Sequence, residues 1–190
     1  MARPREFEPD EALTAIKEAF WSRGYDATSL QDIEQATGLK KQSLYRLYGD
    51  KRGMYLKALD HYSAHEAAET IALLETGGTA RARLQRIFDH VVDLAVAGDR
   101  RGCFFCNASI DQAPVDDETR AVVAASMETV RQSFIETLSV SPVYKASRAR
   151  REKKAAGLMA AYFGLRVMVR AGLGEPHLRN VVKDALAEIG

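Results

Sequence analysis

The sequence predicts an all-α fold of about nine helices: a three-helix, helix-turn-helix head at the N-terminus and a longer helical domain behind it. Three observations predict it. Apolar residues recur at spacings of three, four and seven along most of the chain. No segment keeps the period-two alternation of a strand between hairpin turns. Glycine and proline fall between the periodic stretches, where helices stop.

Taken in order, residues 10–23 place Leu13, Ile16 and Phe20 on one stripe, and Gly24 stops them. Thr28 or Ser29 caps a second, short helix. Thr28 to Gln31 fits a capping box, Leu30 and Ile33 face inward, and Gly38 ends it. A third helix runs from Lys40 or Lys41 to Tyr48. Asp50 caps a fourth over residues 51–74, and Gly77-Gly78 is the clearest break. The fifth, residues 80–97, carries Leu84, Ile87, Phe88, Val91 and Leu94. Gly98 and Gly102 flank a connection to a short sixth helix, residues 103–112, stopped near Pro114. Asp116 caps a seventh that reaches Leu138, and residues 139–147, with Pro142, read as a loop.

The eighth helix, residues 148–171, has apolar positions on more than one stripe: Leu158, Met159, Tyr162, Phe163, Leu165, Val167 and Met168. It is expected to be buried on two sides. Ala155, Ala156, Gly157, Ala160, Ala161 and Gly164 leave room for another backbone. Gly172 and Gly174 end it. The ninth starts near Pro176 with a single stripe of Leu178, Val181, Val182, Ala185, Leu186 and Ile189.

The 190 residues carry 27 Lys and Arg against 26 Asp and Glu, with 46% hydrophobic and 28% charged residues, the balance of a globular chain. No apolar run approaches the ~18 residues that span a bilayer. Residues 1–6 are charged and lack the apolar stretch of a signal peptide. The 2 cysteines cannot build a disulfide framework. A cytoplasmic protein is expected. The neutral total hides local asymmetry. Residues 37–53 hold five basic groups (Lys40, Lys41, Arg46, Lys51, Arg52) against Asp50. Residues 107–139 hold six acids against two bases. Residues 147–154 are basic again, as expected of a solvated helix face.

The first fifty residues are the informative part. Two short helices joined across residues 36–39, with Gly38 in the turn, match a helix-turn-helix, whose second helix enters the major groove. Leu44 and Leu47 are expected to hold that helix on its neighbours, leaving Lys40, Lys41, Gln42 and Arg46 outward. Arg and Lys read guanine edges, and Gln reads adenine. Thr28, Ser43, Tyr45, Tyr48 and Lys51 offer phosphate donors, which set register without reading sequence.

The stretch from Phe20 to Ile33 and from Thr37 to Lys51 resembles the N-terminal domain of the tetracycline-repressor (TetR) family of transcriptional regulators. Gly24-Tyr25, Thr28, Ile33, Gly38, Ser43-Leu44-Tyr45, Tyr48 and Lys51 carry the likeness. The resemblance covers roughly residues 10–60. It implies an all-helical dimer whose second domain binds a small effector that lowers DNA affinity. It implies phosphate contacts at Thr28, Tyr45 and Lys51, and base readers on the outward positions of the third helix. Tyr48 stands where Phe is more usual. Lys40-Lys41-Gln42 is this chain's own variation, so the operator does not carry over. Residues 102–107 and 162–167 are similar to sixth- and eighth-helix segments of one branch, which implies that helices eight and nine pair with their copies. The apolar excess of the eighth helix supports that pairing independently.

Other signals weigh less. Cys103-x-x-Cys106 lacks the βαβ setting of a thioredoxin-like pair and the further ligands of a zinc site. It remains a candidate sensor, with Arg100 and Arg101 and a helix start lowering a thiol pKa, against Phe104 and Phe105, which bury it. His61 and His65 share a face but make a poor metal site as a pair. Asn107-Ala-Ser109 is a glycosylation acceptor without meaning in a cytoplasmic protein. No phosphate-binding Gly loop, nucleophile elbow or zinc-protease motif occurs, so no enzyme, cofactor or metal is expected. Phe88, Phe104, Phe105, Met127, Met159, Tyr162 and Phe163 are candidates for effector contact, though such periodic residues are more often plain packing.

The expectation is a DNA-binding domain over residues 1–50 and an effector-binding and dimerisation domain over 51–190. The chain is expected to be a homodimeric, ligand-released repressor bound to double-stranded operator DNA. The alternatives are a cysteine-based redox or electrophile sensor, and a helical ligand-binding or scaffolding protein whose basic third helix meets a protein.

Overall fold

The computed structural model describes residues 9–189; the charged residues 1–6 lie outside them. The helices are α1 (Pro9–Arg23), α2 (Leu30–Thr37), α3 (Lys41–Tyr48), a long rod α4, α5 (Ala80–Val96), α6 (Phe104–Asp111), α7 (Asp117–Ser139), α8 (Arg148–Arg170) and α9 (Glu175–Ala185). The rod α4 consists of Lys51–Tyr62, a π-helical turn Ser63–Ala67, and Ala68–Glu75. No strand occurs among the described residues.

Capping explains most boundaries. The capping box of α2 sits one residue later than Thr28 to Gln31 suggested. The Ser29 hydroxyl accepts from Asp32 N (3.1 Å), and Asp32 Oδ2 accepts from Ser29 N (2.8 Å). Thr28 is instead fully buried, its hydroxyl donating to Gly24 O (2.7 Å). Gly38, at φ 72°, ends α2 in the left-handed conformation and lets α3 begin almost at once. Asp50 caps the rod by accepting from Gly53 N at 2.8 Å, and Asp116 caps α7. The widened turn in the rod has a local cause. His65 Nδ1 donates to His61 O (2.8 Å) and Thr70 Oγ1 to Glu66 O (2.6 Å), so side chains engage carbonyls at both ends of it.

Two apolar cores result. The first gathers Ile16, Phe20, Ile33, Leu44, Met54, Tyr55 and Leu59 with Phe104 and Phe105 of α6. The second gathers Leu84, Phe88, Phe134, Leu158, Tyr162, Leu165, Leu178, Val182 and Leu186 from α5 and α7 to α9. The packing therefore does not break at residue 50: the first half of the rod closes the head's core.

One expectation about the core changes. Leu47 is 44% exposed, because α3 turns Leu44 and, one turn on, Tyr48 toward the core. The stripe of α9 is buried within its own chain at Leu178, Val182, Leu186 and Ile189. Arg81 Nη1 ties down the turn that follows α9 by donating to Leu186 O and Ile189 O (2.5 and 3.1 Å). Helix α8 buries only one face in the chain; Ala156, Ala160, Gly164 and Val167 stay open.

Candidate nucleic-acid interface and the cavity behind it

Helix α3 is eight residues long, too short to be stable by itself, so its neighbours hold it. Leu44 is fully buried. Lys40 precedes the helix without a side-chain cap, and Glu34 of α2 supplies the acceptor instead, with Oε1 2.7 Å from Lys41 N. The far face is open. Lys40, Lys41, Gln42, Tyr45 and Arg46 are exposed; Ser43, Tyr48 and, at the start of α4, Lys51 are half-buried. Lys41 Nζ lies 5.2 Å from the Tyr45 ring centre, and Lys51 Nζ 4.4 Å from that of Tyr25. Among the described residues Lys40, Lys41, Arg46 and Lys51 have no carboxylate partner. Arg52, the fifth base of that block, does: its Nε and Nη2 donate to Asp116, and Nη2 also to Glu118 (2.8 Å).

A belt of polar contacts joins this head to the body. Asp111 Oδ2 accepts from Tyr25 N at 2.9 Å. The buried Lys17 pairs with Glu66 of the π turn and with Glu18 (3.2 Å). Arg101 pairs with Glu18 and Asp99 and lies 3.8 Å from the Trp21 ring centre. Arg170 Nη1 donates to Trp21 O at 3.4 Å.

Two cavities adjoin the belt. One, about 540 Å³, lies beside Gly24, Asp111, Cys106 and Val167. The other, about 380 Å³, is lined by Trp21, Tyr62, Glu66, Leu73, His90 and Arg166 among others. Burial and the nearby Arg166 charge hold His90 below its usual pKa, hence neutral near pH 7.

The cysteines stand where α6 begins. Cys103 and Cys106 are free and buried. Cys103 precedes the helix in extended conformation, so the two are not both helical residues. The Cys106 thiol hydrogen-bonds the Cys103 sulfur; with Arg166 nearby and Tyr62 Oη donating at 3.7 Å, this offsets burial and lowers the Cys103 pKa to about 6. The same bond pushes Cys106 up. Gly102 makes the approach possible: a Cβ there would meet Arg166 O at 2.9 Å.

Residues 12–58 match the family model described as bacterial regulatory proteins, tetR family. The chain is 31% identical over 135 residues to the uncharacterized HTH-type transcriptional regulator YezE of Bacillus subtilis, covering 70% of each. The chain belongs to the TetR family. It is also 33% identical over 114 residues to the HTH-type transcriptional repressor ComR of Escherichia coli, covering 59% of this chain and 54% of ComR. Its backbone matches a cysteine mutant of the TetR family transcriptional regulator CifR, solved with 26bp double-strand operator DNA, at a TM-score of 0.85 and 26% identity over 98% of this chain and 99% of that one. This TetR-family chain is thus a DNA-binding transcriptional regulator, and no helix among its described residues is long and apolar enough to cross a membrane.

The structure brings together on one TetR-family head the outward residues named from sequence, with two exceptions. Thr28 is turned inward, its hydroxyl bonded to main-chain carbonyls. Leu47 joins the exposed face. Of the seven effector candidates, Phe88, Phe104, Phe105 and Tyr162 are buried in the cores, and Met127, Met159 and Phe163 pack half-buried against them: Phe88 meets Phe134 and Tyr162 (6.4 and 5.8 Å between ring centres), and Phe104 meets Tyr55 and Tyr62 (5.5 and 5.8 Å). None of Phe88, Phe104, Phe105, Met127, Met159, Tyr162 or Phe163 lines either cavity. Sequence reasoning missed Glu34, the Lys17–Glu66 pair and Arg166. The opposite charge excesses of residues 37–53 and 107–139 were the signal that could have pointed to the Arg52–Asp116 link, but sequence reasoning drew no pairing from them. His61 and His65 stack at 4.1 Å, and Asp10 joins them, its Oδ1 3.3 Å from His61 Nε2. The three ligand atoms lie within 4.8 Å of one another, and His61 Nδ1 is buried without a hydrogen-bond partner.

Proposed function

We propose that the chain is a homodimeric repressor that leaves its operator when a small molecule enters the body. One observation carries the DNA-contact assignment: among the described residues the basic side chains around α3 have no acidic partner, while Arg52 beside them is fully engaged. Unpaired cations on a rigid, outward helix suit a polyanion. Lys40, Lys41, Gln42 and Arg46 then meet base edges, and Ser43, Tyr45, Tyr48 and Lys51 meet phosphates. The open, small-residue face of α8 supports a partner copy packing there, with α9 alongside, which sets the two α3 helices about one helical turn (34–36 Å) apart. The effector favours a conformation in which that spacing is lost, a population shift carried by the rod α4. The reading includes a cytoplasmic location and no catalysis.

A second reading has its own support. The lowered pKa of Cys103 and its place against Arg166 suit a thiol that meets oxidants or electrophiles, which would make the effector covalent.

A mobility-shift titration of the full chain against the promoter DNA beside its own gene tests the proposal. A salt-sensitive dimer complex supports it. Affinity that is absent, or unchanged between low and moderate salt, removes it.

A further inference from the structure

The smaller cavity carries a chemical signature. Three buried side-chain polar atoms without a hydrogen-bond partner belong to residues that line it: Trp21 Nε1, Glu66 Oε2 and Arg166 Nε. Native interiors leave few such atoms, and a cluster of them around one cavity marks a missing polar partner. Arg166 is the strongest of the three. It is 6% exposed, always charged, and bonded to Tyr162 Oη (2.7 Å) but, among the described residues, to no carboxylate. Arg101, on the same wall, already has Glu18 and Asp99. Among the described residues Arg166 is therefore the cation on that wall without a carboxylate partner; the acidic groups near it are the Tyr162 and Tyr62 phenols and the Cys103 thiol.

The wall also sets limits. Glu66, Glu69 and Asp99 line it too, so a ligand with two negative charges is repelled. Glu66 Oε2 lacks a donor, which favours a ligand with a hydroxyl or N–H. Trp21, Leu73 and Leu94 supply apolar surface, and about 380 Å³ falls within the range of small-molecule sites.

We infer that this cavity binds a small monocarboxylate carrying a hydrogen-bond donor, its carboxylate held by Arg166. The assignment rests on the effector-responsive reading above and names the ligand class for it. The position explains how occupancy reaches DNA. Trp21 belongs to α1 of the head, and Lys17–Glu66, Glu18–Arg101 and the Arg101–Trp21 stack surround the site. A ligand that reorganises Arg166 and Glu66 competes with the contacts that seat α1 on the body.

Trp21 is the 1 tryptophan of the chain, so its fluorescence reports the cavity directly. The full-length dimer is titrated with 3-hydroxybutanoate, 3-hydroxyhexanoate, 3-hydroxyoctanoate and 4-hydroxyphenylacetate, each against its primary amide, with calorimetry for the aromatic pair. The expected result is a saturable change with at least one acid and none with its amide. Arg166→Met should weaken it at least tenfold, Arg166→Lys should retain part of it, and both variants should keep wild-type helicity and DNA affinity. Silence across the panel overturns the assignment, as does an acid whose binding Arg166→Met and Arg166→Lys both leave unchanged. An acid that binds through Arg166 without altering a mobility shift supports the site and removes its role as effector site. A chain that binds no DNA removes the function proposed above while the fluorescence result still stands.

Discussion

Asp116 holds two helix starts at once: its Oδ1 accepts from the backbone N–H groups of Glu118 and Thr119 (2.9 and 3.0 Å), and both its oxygens take the Arg52 guanidinium from the first turn of the rod. A cap and an ion pair thus share one carboxylate, joining the end of the DNA head to the body. The pair is partly exposed, so the cap is the larger part of its stability.

The Arg52 guanidinium, with the Thr119 and Glu118 N–H groups, lowers the Asp116 pKa from 3.8 to about 2. A carboxylate with a depressed native pKa stabilises the fold above its unfolded pKa, and that contribution is lost as pH falls through the native one. Asp116→Ala should cost about 0.5–2 kcal/mol at neutral pH through loss of the cap. The difference from wild type in urea denaturation should hold down to about pH 4 and shrink toward pH 2. A difference that grows on acidification contradicts the link.

Specificity and affinity should separate on the head. Gln42→Ala or Arg46→Ala should relax discrimination at one defined base pair by about 1–3 kcal/mol if bidentate. Lys51→Ala should weaken all duplexes alike and reduce the salt slope by about one. Binding-site selection and salt titrations distinguish the two classes. An unchanged site preference in the Gln42 and Arg46 variants removes both residues as readers.

Glu34→Ala should act on DNA without touching it. Loss of the acceptor at Lys41 N frays the start of α3, at a cost of about 0.5–2 kcal/mol. Glu34→Gln retains a carbonyl acceptor and should recover most of the affinity. Equal behaviour of the two variants would indicate a charge effect rather than a cap.

The two faces of the C-terminal helices should respond differently. Leu186 is fully buried in its own chain, so Leu186→Ala should cost about 2–5 kcal/mol of folding stability. Val167 is 46% exposed in the single chain, so Val167→Glu should leave the fold intact and give a monomer. Sedimentation and circular dichroism separate the outcomes; a stable Val167→Glu dimer would move the interface elsewhere.

The thiol reading has its own measurement. Thiolate absorbance in wild type should titrate near pH 6, and Cys106→Ala, which removes the donor, should raise the midpoint. Cys103→Ser should keep DNA release by a non-covalent effector. Loss of release with intact DNA affinity would put the covalent sensor first.

Element order, helix type and the outward face of α3 were legible in the sequence because they depend on local rules. Apolar period, caps such as Asp50 and Asp116, and left-handed glycines such as Gly38 act within a few residues. Even there the capping box was displaced by one residue, since Ser29 with Asp32 and Thr28 with Gln31 are equally plausible on paper. What a side chain does once folded was not legible. Thr28 reads as a donor until the fold buries it, and Phe88 or Tyr162 reads as pocket lining until ring meets ring. The stripe of α9 does not say what it packs on until Leu186 is found inside the chain's own core. Arg166 looked like one base among the apolar residues of α8; only the packing of α1, the rod and α6 around it made it a buried cation without a carboxylate. Burial and pairing are set by contacts between residues far apart in the chain, such as Trp21 with Arg101 or Arg52 with Asp116, and no local period encodes them. The sequence alone therefore determined that this chain is a helical DNA-binding regulator, and tertiary packing decided where its cavity lies and which charge waits in it.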